Sequence, residues 1–179
     1  MSEYEILYSA LNLSHEDFSG LFSNKAEAEM LRPELESVIE ISERLIKPQG
    51  IISIFDAVEV NVDGFRVEDV YFECGRKIAG LLRGSEKIAV FVCTIGAEIV
   101  SAYKRSTASG DWLRAYFFDT LGSLAVERTM DIIQKQLKKE LSENNLRMTN
   151  RFSPGYCNWL VKEQKNCFRY YPILLVIFN

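Results

Sequence analysis

The chain has 179 residues, 47% of them apolar and 26% charged, with a formal net charge of −4. That length and balance fit a globular domain with a buried core and exclude a disordered chain. The charge gives no support to a nucleic-acid partner, which calls for a clustered basic surface.

In chain order, residues 1–48 read as an N-terminal helical segment. Within it, KAEAEMLRPELESVIEISERLI (25–46) has helical periodicity, with Leu35, Val38, Ile39, Ile41 and Leu45 forming an apolar stripe. Pro33 suits the first turn of that helix, and Lys47-Pro48-Gln49-Gly50 stops it. Residues 51–68 alternate, with Val58, Val60 and Val62 set between polar positions and an Asp63-Gly64 turn signal, so they read as a β-hairpin. A short helix is expected near 74–83. KIAVFVCTIG (87–96) is a continuous apolar run closed by glycine, the mark of a buried strand. A helix starts near Ala97 and breaks at Ser109-Gly110. From Asp111, a suitable N-cap, to about Asn144 the pattern is one long helix, with Lys135, Lys138 and Lys139 toward its far end. LRMTNRF (146–152) reads as a strand. The elements mix without regular β-α-β alternation. The expected class is α+β, a single compact domain over 1–179 with a mixed or antiparallel sheet, a long helix and flanking helices.

Cysteines stand at 74, 93, 157 and 167 without CxxC spacing, and the one histidine, His15, has no ligand type beside it, which argues against a structural zinc site. His15 reads as a surface residue of an N-terminal turn rather than a catalytic base. The first residues are acidic and carry no secretory pattern, so reduced thiols and a cytoplasmic location are expected. No apolar run reaches the length of a membrane span; PILLVIFN at the end is too short. P-loop, GxGxxG, HExxH and GxSxG motifs are all missing.

Three features invite a functional reading. Glu127 falls near the apolar stripe of the long helix, between Tyr116 and Leu124 on the helical wheel. A carboxylate there needs solvent at the edge, an ion pair such as Arg128 or Lys135, or a cationic ligand. Gly122, in the same helix, suggests close packing. Arg151-Phe152-Ser153-Pro154-Gly155-Tyr156 places a planar guanidinium before a type II turn. Arg151 suits a carboxylate or phosphate, Gly155 leaves room for one, and Tyr156 offers an aromatic wall. A surface ion pair beside an ordinary turn fits the same spacing.

The RFSPGY phrase, the Trp and Glu163-Gln164-Lys165 that follow it, FVCTIG (91–96) and DTLGSLAVE (119–127) together resemble the activation (reactivation) domain of cobalamin-dependent methionine synthase, in its stand-alone form. The resemblance covers most of the chain from the first hairpin to about residue 168. It implies a domain that binds S-adenosylmethionine and docks on a cobalamin-binding methionine synthase or another corrinoid protein. With an electron from a flavodoxin-type donor, it assists reductive methylation of the partner's cobalamin. Arg151 is then implied to hold the ligand carboxylate, Gly155 and Tyr156 to line the site, and Glu127 to face the cationic end. The chain has no Asp-x-His-x-x-Gly, so the cobalamin is expected on the partner, and the protein is an accessory of a methyltransferase system. Cys157 stands where the family's fused enzymes usually have proline, and is expected to pack. The end, RYYPILLVIFN (169–179), does not resemble the family's continuation and is expected to be an atypical, truncated tail. A docking module without ligand binding and a truncated, non-functional copy are the alternative readings.

Overall fold

The computed structural model describes residues 1–56 and 59–169. Val58 and nearly all of the RYYPILLVIFN tail lie outside the described residues. The class is α+β, as expected, with small sheets and one long helix. The strands are β1 (Ser2–Glu5), β2 (Gln49–Asp56), β3 (Glu59–Val60), β4 (Phe65–Val67), β5 (Val70–Phe72) and β6 (Lys87–Thr94). The helices are α1 (Lys25–Leu45), α2 (Gly75–Leu82), α3 (Glu98–Ala108), α4 (Trp112–Glu143) and α5 (Gln164–Phe168). One sheet has the order β1-β2-β6 and the other β3-β4-β5. The residues group into two compact units. The first holds Met1–Glu3, Ile51–Val92 and the chain from Leu137; the second holds Tyr4–Gly50 and Cys93–Gln136.

In the second unit the N-terminal stretch is more varied than a helical segment, with 3-10 turns at Tyr8–Leu11 and His15–Leu21. The Ser14 amide donates to the Asp17 carboxylate at 2.9 Å, capping the second turn. Arg128 on α4 donates to the carbonyls of Leu11 and Asn12 and pairs with Asp17, fixing both turns. α1 begins where Asn24 accepts from the Glu27 amide at 2.9 Å. Pro33 therefore lies inside the helix, not in its first turn; the Asn24 cap sets the start earlier than proline alone suggests. Leu35, Val38 and Ser42 form the buried line of α1, while Ile41 is exposed. Arg114 on α4 reaches Glu34 on α1 at 2.6 Å, and Phe117 meets Phe18 edge-on at 6.5 Å. α4 starts at Asp111, whose carboxylate accepts from the Arg114 amide at 3.1 Å, so the expected N-cap is in place. The helix runs on to Glu143, which leaves Lys135, Lys138 and Lys139 short of its last turn.

In the first unit the expected hairpin over 51–68 is corrected. β2 pairs with β1 and β6, and the hairpin is β3 with β4, register Glu59↔Arg66 and Val60↔Phe65. Asn61 closes its turn onto the Gly64 carbonyl at 2.8 Å. A Cβ on Gly64 would lie 2.3 Å from the Phe72 carbonyl, so only glycine fits there. β4 returns as β5 through Glu68, whose φ of 50° is left-handed. The core joins Phe65, Val67, Val70 and Phe72 of this sheet to Cys74, to Ile78 and Ala79 of α2, to Ile88 and Val90 of β6, and to Trp159. LRMTNRF forms no strand; among the described residues no ladder partner meets it, and its backbone runs as an irregular connection into the turn.

Candidate functional site

The loop after α4 is fixed by hydrogen bonds written into its own sequence. Tyr156 donates its amide to the Ser153 carbonyl at 3.2 Å, and Gly155 has φ +107°, which a type II turn requires at its third position. A second turn follows at once. Trp159 donates to the Tyr156 carbonyl at 2.8 Å, and the two residues between, Cys157 and Asn158, both have positive φ, 52° and 69°. That is the backbone of a type I′ turn, which tolerates asparagine well and cysteine less well. Gly155, the third residue of the first turn, then donates across the second turn to the Trp159 carbonyl at 2.6 Å.

Trp159 ends the loop in the core. It is buried, with its ring edge-on to Phe65 at 6.2 Å and to Phe72 at 6.4 Å, while Phe65 and Phe72 stack on each other at 4.8 Å. Phe152, before the turn, packs against the same core. Beyond Trp159, the buried carboxylate of Glu163 accepts from the Asn166 amide at 2.9 Å, and Asn166 also donates to the Tyr71 carbonyl at 3.3 Å. These bonds tie the segment around α5 back to β5. Spacing alone did not single out Trp159 or Glu163, although both belong to the phrase that carries the resemblance.

Arg151, Gly155 and Tyr156 thus share one loop. Arg151 is half-buried, Gly155 is exposed, and Tyr156 is 66% exposed. Cys157 is also exposed, so the expectation that it packs is corrected; its left-handed backbone belongs to a turn displayed outward. Glu127 belongs to the second unit. Its expected place near the apolar stripe of α4 is also corrected. The buried line of that helix runs through Phe118, Leu121, Ala125, Thr129 and Ile133. Glu127 lies about 200° around the helix from Ala125 and is exposed. Tyr116, which suggested an apolar wall, is itself 49% exposed. A Cβ on Gly122 would meet Ile95 at 3.6 Å and Ile99 at 3.8 Å, ordinary contacts, so close packing does not demand glycine there.

His15 opens a 3-10 turn and lies 3.9 Å from Glu36. All four cysteines are free thiols. Burial pushes the thiols of Cys74 and Cys167 up to about 11. Among the described residues no cluster of His, Cys, Asp or Glu is placed to hold a metal ion, and no helix is long and apolar enough to cross a membrane.

No family model matches the sequence, and no curated protein sequence matches it. Solved structures do match. A crystal structure of the MetH reactivation domain bound to AdoHcy superposes with a TM-score of 0.67, over 94% of this chain and 68% of that one, at 15% identity. The fold is similar to that of a reactivation domain. At this identity the likeness concerns the fold, and the ligand belongs to the neighbour.

Proposed function

We propose that this protein binds S-adenosylmethionine through the loop Arg151–Tyr156 and assists reductive methylation of the cobalamin carried by a partner corrinoid protein. The observation that carries the reading is a pre-formed Arg-Phe-Ser-Pro-Gly-Tyr loop on a fold similar to a domain solved with AdoHcy. Arg151 supplies a guanidinium suited to two parallel hydrogen bonds with the ligand carboxylate. Gly155, exposed and without a side chain, lets the ligand approach the backbone, and Tyr156 offers a ring face to the sulfonium or the adenine.

A one-electron-reduced cobalamin on the partner would take the methyl group of the sulfonium, the electron coming from a flavodoxin-type donor and S-adenosylhomocysteine leaving; this chain's part, through Arg151, Gly155 and Tyr156, would be to hold and orient the ligand. Glu127, exposed on α4, is assigned to the ligand's cationic end on the resemblance alone and is tested separately. Calorimetric titration with S-adenosylmethionine tests the reading. Saturable heat supports it. A silent titration at millimolar ligand contradicts it and favours a docking module that does not bind the ligand.

A further inference from the structure

We infer that Phe152 and Trp159 are the two feet of an aromatic clamp that sets the shape of the candidate ligand loop, with Trp159 as its principal positioning residue. The clamp itself follows from the geometry; its consequence for affinity rests on the proposed function. Both feet pack into the core that holds Phe65 and Phe72. Between them Gly155, Tyr156, Cys157 and Asn158 are all exposed. A stretch displayed in this way has few contacts of its own, and its conformation depends on where its ends are held.

Three features make Trp159 the principal foot. Its ring is held edge-on by two phenylalanines of a stacked pair. Its carbonyl accepts the Gly155 amide and its own amide donates to Tyr156, so moving the ring moves both turns. The backbone it braces is unfavourable for L-residues, since Cys157 and Asn158 both have positive φ. A free loop would relax from that conformation; one pinned through Trp159 keeps it.

The test is amide hydrogen exchange read by NMR on the full chain as wild type, Trp159→Leu and Trp159→Phe, with titration of S-adenosylmethionine alongside. In Trp159→Leu the amides of residues 155 and 159 are expected to exchange about ten-fold faster or more, beyond any change in α2 and β6. Trp159→Phe keeps an aromatic edge and is expected to restore protection to within about three-fold. Should Trp159→Leu fail to fold, Phe152→Leu, at the half-buried foot, is expected to give the same selective loosening. Unchanged protection at 155 and 159, or loosening no greater than in α2 and β6, overturns the clamp. Affinity is expected to fall about ten-fold with the loosened loop. A loosened loop with unchanged affinity overturns the positioning role. A wild type that shows the exchange pattern but binds no S-adenosylmethionine supports the clamp and contradicts the ligand reading.

Discussion

The amide of Gly155 donates to the carbonyl of Trp159 at 2.6 Å, tying an exposed glycine to a buried tryptophan. The bond runs from within the first turn across the second, and joins the part of the loop available to a ligand to the part held in the core. Substitutions at glycines inside and outside this loop separate what the loop needs from what the fold needs.

Gly155→Ala is expected to destabilise the protein by roughly 1–2 kcal/mol, because alanine pays a backbone penalty in the left-handed region. The φ of +107° and the 3.4 Å approach to Val161 both act against the added methyl. Urea denaturation measures it. Equal stability would show that the turn forms without that conformation.

Gly64 and Gly122 should behave in opposite ways. At Gly64 the methyl would meet the Phe72 carbonyl at 2.3 Å, and backbone must move. Gly64→Ala is expected to cost more than about 2 kcal/mol. At Gly122 the nearest atoms stand at 3.6 and 3.8 Å, and helix propensity favours alanine. Gly122→Ala is expected to stabilise by up to about 1 kcal/mol. Thermal unfolding of the two variants distinguishes them, and a destabilised Gly122→Ala would contradict the account of α4 packing.

Those glycines also show what local sequence can and cannot reveal. The Ser153-Pro154-Gly155-Tyr156 turn, a strand ending at Thr94, and the long helix capped by Asp111 were legible because each is set by neighbours in the chain; the strand itself is not buried throughout, since Lys87 and Ala89 are exposed and Phe91, Val92 and Cys93 are half-buried. The pairing of β2 with β1 and β6 was not, since Ser2–Glu5 has no strand-like alternation and its partners are remote in sequence. LRMTNRF was read as a strand, but among the described residues no strand lies beside it to complete a ladder. Glu127 was misplaced because Tyr116, Leu124 and Met130 look like a stripe, whereas burial follows Leu121, Ala125 and Thr129. The same limit hid Trp159, whose partners Phe65 and Phe72 come from a distant hairpin.

The thiols give a prediction in pH and in reactivity. Burial raises Cys74 and Cys167 from the ordinary 9.0 to about 11, so the folded chain keeps their protons where an unfolded chain has lost them. Their contribution to stability is fully present below 9.0 and is lost as pH rises through about 11. At pH 8, iodoacetamide should label exposed Cys157 first, half-buried Cys167 more slowly, and leave buried Cys74 unmodified in the folded protein. Mass mapping of the modified peptides checks this; early labelling of Cys74 would contradict its burial.

Glu127→Gln tests the assignment on α4. The residue is exposed, and melting temperatures of the two proteins separate an effect on binding from one on folding. Under the proposed assignment, loss of its charge is expected to weaken S-adenosylmethionine binding about five-fold at low salt, with the difference shrinking as salt rises. Equal affinity at every salt concentration removes Glu127 from the site.

The most direct measurement is the affinity of S-adenosylmethionine for Arg151→Ala against wild type, by calorimetry, with both proteins shown to be folded. Arg151 opens the loop and is the one guanidinium assigned to the ligand carboxylate. Loss of a charge-assisted pair is expected to weaken binding ten-fold or more, at about 1.5–3 kcal/mol. Equal binding by the two proteins, or no binding by wild type at millimolar ligand, would contradict the account.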